Sequence, residues 1–352
     1  MKTAISTQNN HNRVLVGLSG GVDSAVSCKI LQENGYETTG LFLIMSDLHL
    51  KPLAAAEKAA EDLKIELVVK DLRECFREYI ILPFMQAYCN GITPNPCVIC
   101  NEAVKFSALS HTAEELHYDY TATGHYAGID SVNDYFLLKT AADSKKDQSY
   151  MLYRLGQKIL EKHIFPLSGI TKTEVKSIAE AENISAYNAA ESQEICFIED
   201  KRYPEYLHEN GFYGRKGYFI LESGRIAGLH KGVEYYTIGQ RKGLSVNLGH
   251  PAYVKKIYAD GNILLGLSNE AYVTEIEVSD IVTNPYFDLN DGNEYLCKVR
   301  YQSRPEIATA RLRNGKIYIT FNKAVKSPAL GQSAVLYRDD YVAGGGIISE
   351  TF

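Results

Sequence analysis

The N-terminal part of the chain alternates short apolar runs with longer segments in which apolar residues recur at helical spacing. The apolar runs predict buried strands at Arg13–Leu18, Thr39–Ile44, Ile65–Val69 and Tyr120–Thr123. The periodic segments between them predict helices at Asp23–Asn34, Leu53–Leu63, Leu72–Tyr88 and Val98–Leu116. Because strands that alternate with helices are typical of α/β proteins, the pattern predicts a doubly wound parallel sheet with helices on both faces.

Helical periodicity fades near residue 210, and short β-rich runs separated by Gly, Asn and Asp follow. They predict strands at Gly217–Leu221, Ala252–Ile257, Ile263–Gly266, Tyr295–Tyr301 and Ile317–Phe321. A break within Val278–Asn293 indicates two small β-rich modules, the last a β-barrel. The predicted division is a disordered lead over 1–12, the α/β domain over 13–210, a central β-rich domain over 211–278 and the barrel over 279–352.

The composition of the 352 residues excludes few classes of protein. No apolar run is long enough for a transmembrane helix, and the polar start lacks the apolar core of a secretory signal, so we expect a cytoplasmic protein with no membrane partner. The net charge of −6 argues mildly against a nucleic-acid partner. Seven cysteines, an odd number, do not suggest a disulfide scaffold in a chain of this length.

The most informative segment lies between the first predicted strand and the first predicted helix. It reads Gly17, Leu18, Ser19, Gly20, Gly21, Val22, Asp23, Ser24. Adjacent glycines let backbone N–H groups converge, and the helix N-terminus adds a positive dipole, so the segment predicts a phosphate cradle. It has neither the Walker-type Gly-Lys-Ser/Thr ending nor the dinucleotide-binding G-x-G-x-x-G pattern.

Asp23 has two interpretations within this loop. A carboxylate beside phosphates is repulsive unless a cation such as Mg²⁺ lies between them, which favours a magnesium site. Alternatively, Asp23 and Ser24 cap the following helix. The loop as a whole resembles the pyrophosphate-binding loop (PP-loop) of the ATP pyrophosphatases, which adenylate a substrate and release pyrophosphate. That group includes amidotransferase-type synthetases and tRNA thiolases, and the loop alone does not distinguish them.

Further motifs narrow the resemblance to one family. They are Thr93-Pro94-Asn95-Pro96-Cys97-Val98-Ile99-Cys100-Asn101 with Lys105-Phe106, Ala122-Thr123-Gly124-His125-Tyr126, Lys146-Asp147-Gln148-Ser149-Tyr150, Ser192-Gln193-Glu194-Ile195-Cys196-Phe197-Ile198, Gly239-Gln240-Arg241-Lys242-Gly243-Leu244, Arg300-Tyr301-Gln302 and Gly344-Gly345-Gly346-Ile347-Ile348. With the loop, these segments resemble the tRNA-specific 2-thiouridylase family (MnmA) from about residue 13 to the glycine run near the C-terminus.

The resemblance implies a role for each matched position. Cys196 would carry persulfide sulfur, and Cys100 would resolve it, leaving a Cys100–Cys196 disulfide. The ATP contacts would be Gly17, Leu18, Ser19, Gly20, Gly21, Val22, Asp23, Ser24, Leu43 and Gly124. The target base would meet Asn95, Pro96 and Cys97, and the tRNA would meet Lys146, Asp147, Gln148, Arg300 and Tyr301.

The implied reaction is ATP-dependent 2-thiolation of a wobble uridine. Adenylation of the 2-carbonyl oxygen creates a leaving group, and a persulfide is a strong nucleophile that two cysteines can carry and resolve. Cys100 lies near a predicted helix start, where the dipole favours the thiolate. The implied substrates and partners are ATP with Mg²⁺, the wobble-uridine tRNAs for Glu, Lys and Gln, and a cysteine desulfurase or sulfur-relay protein.

Two positions depart from the family pattern. Cys97 stands where many members carry Asp, and the resulting Cys97-x-x-Cys100 pair could join Cys196 as ligands of an iron–sulfur cluster, or Cys97 is a simple substitution beside the base. Glu194 adds negative charge near Cys196 and could raise the pKa of that thiol. His125 is either a contact at the nucleotide or a hydrogen-bonded structural histidine.

Two alternative functions remain open from the sequence. One is another PP-loop adenylating synthetase, which aminates a carboxylate or a purine; it needs an ammonia source that the sequence does not reveal. The other is a non-catalytic RNA-binding protein with a structural metal at Cys97 and Cys100, which leaves the glycine loop without a role.

Overall fold

The computed structural model describes residues 12–188, 195–199, 203–267 and 272–352. The predicted lead over 1–12 lies almost wholly outside these residues, as do Ser192, Gln193 and Glu194. The helices are α1 Val22–Glu33, α2 Leu50–Leu63, α3 Arg73–Phe76, α4 Leu82–Cys89, α5 Pro96–Cys100, α6 Ser107–Glu115, α7 Ser149–Leu152, α8 Gln157–Glu161, α9 Lys172–Ala181 and α10 Tyr203–Glu209.

Seventeen strands form three sheets in the part of the chain that the structure describes. They are β1 Arg13–Gly17, β2 Glu37–Ile44, β3 Leu67–Asp71, β4 Tyr120–Thr123, β5 Gly128–Val132, β6 Tyr135–Lys139, β7 His163–Ile164, β8 Tyr218–Leu221, β9 Ile226–Leu229, β10 Ala252–Ile257, β11 Ile263–Leu267, β12 Tyr272–Thr283, β13 Glu294–Lys298, β14 Glu306–Arg313, β15 Lys316–Lys326, β16 Ser333–Arg338 and β17 Tyr341–Thr351.

The first sheet is parallel, with the order β3-β2-β1-β4-β7. Alternate residues of its central strand β1 pack on opposite faces. Val14 and Val16 join a core with α1, α2 and α9, while Leu15 joins a core with Leu109 of α6. Burial on both faces is what a continuous apolar run in a parallel strand produces. The predicted doubly wound sheet with helices on both faces is therefore confirmed.

Two predicted long helices contain stretches of π-helix. The segment predicted as Leu72–Tyr88 is α3, a π-helical stretch at Arg77–Ile81, and α4. The segment predicted as Val98–Leu116 is α5, a π-helical stretch at Asn101–Phe106, and α6. A π-helix bonds residue i to i+5, and such stretches occur frequently at functional sites. Apolar periodicity predicted the helical conformation but not the change in winding.

The second and third sheets belong to the β-rich half of the chain. The four-stranded sheet has the order β10-β11-β8-β9 around the buried Phe219 and Val254. The third sheet has the order β12-β15-β14-β13-β16-β17, and pairing of β12 with β17 closes it into a six-stranded barrel, as predicted. A hairpin that the sequence did not predict, β5–β6, extends this sheet through the pairing of Lys139 with Tyr341.

The residue limits of the three predicted domains remain predictions, but one of them falls inside a strand. β12 pairs with β15 and β17 along most of its length, so the predicted break after residue 278 cuts a continuous barrel strand. Pairing with β17, which the apolar pattern does not show, carries the strand to Thr283 through two register shifts. No helix in the described ranges is long and apolar enough to cross a membrane.

Candidate active site

The glycine loop follows β1 at the carboxyl edge of the parallel sheet, where α/β folds bind ligands. Ser24 Oγ donates to the carbonyl of Gly21 at 2.9 Å and accepts the N–H of Ser19 at 3.2 Å. Gly21 is the N-cap of α1, and no side chain caps that helix end. The N–H groups of the first turn are thus left without a side-chain acceptor, which fits an anion such as pyrophosphate.

Two glycines make the close packing of this loop attainable. Gly20 has a positive φ of 80°, and a Cβ there would lie 2.8 Å from the carbonyl oxygen of Pro52. Gly124, which follows β4, packs against the start of α1, and a Cβ there would lie 2.7 Å from the backbone nitrogen of Ser24. Any larger residue at either position would therefore displace the loop.

Asp23 neither caps α1 nor stands free for a metal ion. The Lys172 Nζ donates to both of its carboxylate oxygens, at 2.6 and 2.7 Å, and the Tyr126 hydroxyl donates to one of them at 2.8 Å. The sequence argument required a cation beside this carboxylate and assigned Mg²⁺ to that role. The structure supplies the Lys172 ammonium instead, so the donor set around Asp23 does not fit direct coordination of Mg²⁺.

A buried hydrogen-bonded chain continues from the strand that leads to Gly124. Thr121 Oγ1 is 2.8 Å from one ring nitrogen of His163, whose other nitrogen is 3.1 Å from Thr123 Oγ1. Thr123 Oγ1 also lies 2.9 Å from Nδ1 of His125. Burial, with a smaller effect of Lys105, lowers the pKa of His125 to about 3. His125 is therefore a neutral, hydrogen-bonded histidine beside the loop, which fits the structural interpretation of this residue.

The segment that carries Asn95, Pro96 and Cys97 is held by the barrel. The Thr93 N–H donates to the carbonyl of Leu330 at 3.0 Å, and the Gln332 side chain donates to the carbonyls of Thr93 and Pro94 at 3.0 and 3.2 Å. Gly91 packs against Ile257 of β10, where a Cβ would lie 2.4 Å from that side chain. The barrel and the central sheet thus both fix the approach to α5.

The three cysteines of interest differ in their environments. Cys97 and Cys196 are exposed, whereas Cys100 is buried, with its Sγ 4.0 Å from Sδ of Met45. Burial raises the pKa of the Cys100 thiol to about 12, and Lys105 opposes this rise. The expected lowering of this pKa by a helix start is wrong, because burial of Cys100 in an apolar cluster outweighs any effect of the helical segment that begins at Pro96. All three are free thiols.

The Cys196 thiol responds to the same groups as Cys100. Surrounding protein raises its pKa, Lys105 lowers it and Cys97 raises it again. Charge on Cys196 and Cys97 also raises the pKa of Cys100. The three thiols therefore lie within electrostatic reach of one another. Leu43, the predicted adenine-side residue, packs partly buried against the apolar cluster that contains Cys100.

Lys105 is the functional candidate that the sequence analysis did not select. It lies in the π-helical stretch that starts directly after Cys100. Because a π-helix bonds i to i+5, residues 100 and 105 share a face, whereas an α-helix of about 3.6 residues per turn would turn them apart. Burial lowers the pKa of Lys105, but charge on Cys100, Cys196 and Cys97 raises it above its ordinary value. No acidic side chain in the described chain lies within salt-bridge distance of this half-buried ammonium.

The two segments predicted to meet tRNA come together, although several of their polar groups serve the fold. Lys298 lies 5.6 Å above the Tyr301 ring, and both Asp147 and Lys146 influence the Tyr301 pKa, which burial raises. However, Asp147 accepts the Ser149 N–H and hydroxyl at 3.3 and 2.8 Å.

Gln148 and Arg300 are also engaged within the protein. Gln148 exchanges hydrogen bonds with the backbone of Tyr126 at 2.9 and 2.8 Å. Arg300 Nη2 donates to the carbonyls of Ile238 and Ser327 at 3.1 and 2.7 Å and so links the central sheet to the barrel. Tyr301 is therefore better placed than Gln148 and Arg300 to contact a ligand.

Comparison with known families covers nearly the whole chain. Family models match a tRNA methyl transferase HUP domain over residues 12–200, a tRNA methyl transferase PRC-barrel domain over 206–266 and an aminomethyltransferase beta-barrel domain over 274–348. The tRNA-specific 2-thiouridylase MnmA of Clostridium beijerinckii is 38% identical over 351 residues, which cover 96% of this chain and 98% of that protein. The chain belongs to the tRNA-specific 2-thiouridylase (MnmA) family.

Other MnmA proteins and some solved structures are also similar. MnmA 2 of Clostridium botulinum strain Langeland is 40% identical over 346 residues, covering 95% of this chain and 98% of its own. Among solved structures, a 4-thiouridine synthetase–RNA complex with bound ATP aligns with a TM-score of 0.38 at 15% identity, over 56% of this chain and 50% of that one. The NMN synthetase of Francisella tularensis aligns with a TM-score of 0.36 at 17% identity, over 56% and 72%.

The iron–sulfur alternative for this MnmA-family chain finds no support in the geometry. Within the described ranges, which include Cys97, Cys100 and Cys196, no three His, Cys, Asp or Glu side chains are placed to hold a metal ion. The reason is that Cys100 is directed into the apolar cluster, while the other two thiols reach solvent. Glu194, which was expected to raise the pKa of Cys196, lies outside the described residues.

Sequence reasoning also missed Lys172, although part of its signal was present. Thr171 and Glu174 form a capping box, a recognisable start of α9 that puts Lys172 in the first turn. No pattern links that turn to Asp23, which lies 149 residues earlier in the chain. The ion pair depends on the packing of α9 against α1 in the MnmA fold.

Proposed function

We propose that this protein is an ATP-dependent tRNA-uridine 2-sulfurtransferase that acts on the wobble uridine of the tRNAs for Glu, Lys and Gln. The observation that carries the proposal is the proximity of the thiols to the glycine loop. Gly124 packs on the loop, His125 follows it, and Lys105 influences the pKa of His125 and of the Cys100 and Cys196 thiols. The names of the MnmA relatives support the same activity.

The uncapped start of α1 is the proposed pyrophosphate site. The N–H groups after Gly21 would bind the β- and γ-phosphates of ATP, since they have no side-chain acceptor of their own. Lys172 keeps the Asp23 carboxylate neutralised, so that this side chain does not repel the phosphates. Mg²⁺ bound to the phosphates would supply further charge, but we assign it no ligand from Asp23.

Adenylation converts the 2-carbonyl oxygen of uridine from a poor leaving group into a good one. In the proposed first step the 2-carbonyl oxygen of uridine attacks the α-phosphorus of ATP, the bond to the β-phosphate oxygen breaks, and pyrophosphate leaves. The oxygen now departs as AMP rather than as oxide. Asn95 and Cys97 would face the base, because the barrel fixes their loop next to α5.

Sulfur transfer then uses both cysteines. The terminal sulfur of a Cys196 persulfide attacks C2, and the C2–O bond breaks with AMP as the leaving group. The Cys100 thiolate attacks Sγ of Cys196, so the sulfur remains on the base as the thiocarbonyl and a Cys100–Cys196 disulfide forms. An external dithiol reduces this disulfide, and a persulfide donor, a cysteine desulfurase or a relay protein, recharges Cys196.

The buried Cys100 needs assistance to act as a thiolate. With a pKa raised to about 12 it is almost fully protonated near neutral pH. Lys105 reduces the free-energy cost of a negative charge on a thiol, and it acts on both Cys100 and Cys196. In the present arrangement Cys100 and Cys196 are both free thiols, and Cys100 contacts Met45. We propose that binding of tRNA, or loading of sulfur onto Cys196, moves Cys100 away from Met45.

The test is a complete assay with the full-length protein. The protein is incubated with ATP, Mg²⁺, a persulfide donor, a dithiol and unmodified tRNA, and the nucleosides are analysed by mass spectrometry. We expect 2-thiouridine and tRNA-dependent AMP release, neither of which occurs with a tRNA that lacks a wobble uridine. A methylated nucleoside, glutamine-dependent amination, or no consumption of ATP would each contradict the proposal.

A further inference from the structure

The central part of the chain has the opposite charge balance to the whole. Residues 206–266 contain eight Lys and Arg and four Asp and Glu, although the net charge of the chain is −6. An excess of positive charge on an acidic protein indicates a local surface for a polyanion. None of the segments assigned to ATP, the target base or tRNA explains these charges around α10 and β8.

A hollow opens among these residues. Its volume is about 390 Å³, within the range of roughly 300–1,000 Å³ that is usual for small-molecule sites. It combines basic, aromatic and histidine side chains. Its lining consists of His208, Tyr213, Gly214, Lys216, His230, Lys231, Glu234 and Tyr235.

One aromatic ring in this hollow is both fixed and exposed. Tyr213 is 67% exposed, yet its ring stacks on that of His208 with centroids 4.7 Å apart and an interplanar angle of 25°. Its hydroxyl donates to the carbonyl of His208 at 3.3 Å. A tyrosine held on one face and open on the other is a platform for stacking a base, and little side-chain entropy remains to be lost on binding.

A buried carboxylate holds this platform in place. Glu234 is 2% exposed, and its Oε1 lies 2.9 Å from Nε2 of His208. Gly214 and Gly232 enclose the carboxylate, and a Cβ at either position would lie 2.2 Å from its Oε2. The carboxylate thus lines the hollow with almost no exposed surface, and it orients the His208 ring beneath Tyr213. Its charge also adds to the effect of burial in raising the pKa of Tyr235 and opposes the effect of burial in lowering the His230 pKa.

Two lysines at the hollow supply positive charge for an anion. Lys216 and Lys231 are exposed, and in the described part of the chain neither has an acidic group within salt-bridge distance. The Lys231 ammonium lies 5.8 Å from the centroid of the Tyr235 ring. Stacking platforms next to basic side chains are the usual means of binding unpaired nucleotides.

We propose that this hollow binds one unpaired nucleotide of the tRNA substrate, with its base on the open face of Tyr213 and its phosphate between Lys216 and Lys231. The inference rests on the proposed function only for the identity of the RNA. It adds a contact that is separate from the target uridine and from the Lys146 and Tyr301 segments.

The experiment measures the affinity of full-length protein for unmodified tRNA at several salt concentrations. We expect Tyr213→Ala to weaken binding by about five- to a hundredfold, while Tyr213→Phe retains most of the affinity. The double variant Lys216→Ala/Lys231→Ala should weaken binding and reduce the slope of log affinity against log salt by about two. Matched controls are Tyr218→Ala and Arg225→Ala, exposed residues of the same region outside the hollow.

Each outcome decides between distinct conclusions. If the unaltered protein binds tRNA but the hollow variants bind within twofold of the controls, the inference is wrong and the proposed function stands. If the KM for ATP rises together with the tRNA dissociation constant, the hollow serves a free nucleotide, which also overturns it. If the unaltered protein does not bind tRNA at all, the proposed function itself fails. Unchanged thermal unfolding of each variant excludes loss of the fold as the cause.

Discussion

The phosphate end and the sulfur end of the proposed site differ in how completely they are assembled. At the phosphate end, the Ser24 hydroxyl is already bonded to the loop backbone at Gly21, and Lys172 is bonded to Asp23, at the start of an uncapped helix. At the sulfur end, Cys100 is buried against Met45, and Lys105 has no acidic partner in the described chain. The first arrangement is preorganised for an anion, whereas the second requires a movement before the two cysteines can react.

This difference has a chemical advantage. A Cys100 thiolate that met the Cys196 persulfide freely would attack its Sγ and expel the terminal sulfur as hydrosulfide, so the loaded sulfur would be lost and the resulting disulfide would have to be reduced again in an idle cycle. A buried thiol with a pKa of about 12 is a poor nucleophile until it is exposed. The separation of Cys100 from the exposed Cys196 therefore protects the pair, while the phosphate cradle needs no such protection.

The largest effect should come from removing the sulfur carrier. Cys196→Ser is expected to lower the rate of 2-thiouridine formation by at least about 10³-fold, because no other exposed thiol can replace a covalent sulfur carrier. tRNA-dependent pyrophosphate release should persist for one turnover, since the phosphate end is intact, whereas AMP should stay on the base because no sulfur displaces it. Nucleoside analysis and pyrophosphate release, measured on the same samples, test this.

Cys97→Ser is the matched control, an exposed cysteine in the same cluster. In protein prepared without iron it should lose far less thiolation than Cys196→Ser, because it changes a contact with the base but leaves the sulfur carrier in place. Loss of activity in this variant together with recovery on anaerobic iron–sulfur reconstitution would instead support the cluster alternative.

The next largest effect should come from the phosphate end. Lys172→Met leaves the Asp23 carboxylate uncompensated beside the bound phosphates, so we expect kcat/KM for ATP to fall about 30-fold or more. The double variant Asp23→Asn/Lys172→Met should recover part of the loss because no unpaired charge remains. Steady-state kinetics with ATP as the varied substrate measure both. A double variant that is worse than Lys172→Met would show that the carboxylate has a separate role.

A smaller effect is expected from Lys105. This ammonium lowers the pKa of the Cys100 and Cys196 thiols, so Lys105→Met should raise both and reduce the thiolate fraction at a given pH. We expect kcat to fall about ten- to a hundredfold and the rise of the pH–rate profile to move to higher pH. Lys105→Arg should restore much of the activity. A lower rate with an unchanged pH profile would indicate a merely structural lysine.

The smallest effect concerns the stability of the network behind the loop. Burial is the chief reason why His125 and His163 have lowered pKa values in the folded protein. Below pH 6.5, the ordinary pKa of histidine, the unfolded chain therefore binds more protons than the folded protein. The contribution of these neutral histidines to the free energy of unfolding should be fully present above pH 6.5. It should decline as the pH falls, by up to about 1.4 kcal/mol per pH unit for each histidine. Thermal unfolding from pH 7 to pH 5 tests this. A melting temperature that does not change over this range would contradict it.

The sequence predicted elements that rest on local pattern and missed those that depend on distant packing. The strand predicted at Arg13–Leu18 is observed at Arg13–Gly17, because a buried parallel strand is a compact apolar run. The π-helical winding at Asn101–Phe106 has no comparable signature. The Cys100 environment was mispredicted for a related reason, since the apolar cluster that buries this residue draws on distant segments that include Met45 and Phe197.

The candidate site shows the same division. The glycine loop was recognisable because its geometry depends on glycines adjacent in sequence, whereas the Lys172 partner of Asp23 comes from a different helix. Likewise, the Arg300 side chain was expected at the tRNA, but its guanidinium is held by two backbone carbonyls that no sequence pattern brings together. Which residues contact ATP, the base and the tRNA remains a prediction for the assays above.

The barrel's hold on the segment before α5 limits how this protein can be divided and recombined. Gln332 and Leu330 fix the backbone of Thr93 and Pro94, and Gly91 fits against Ile257 of the central sheet. A chimera that exchanged the C-terminal half for that of a relative would have to preserve the amide at 332 and the small residue at 91. Without them, the nucleotide-binding half would lose the support of the loop next to its own cysteine, so the barrel is a component of the site rather than an interchangeable appendage.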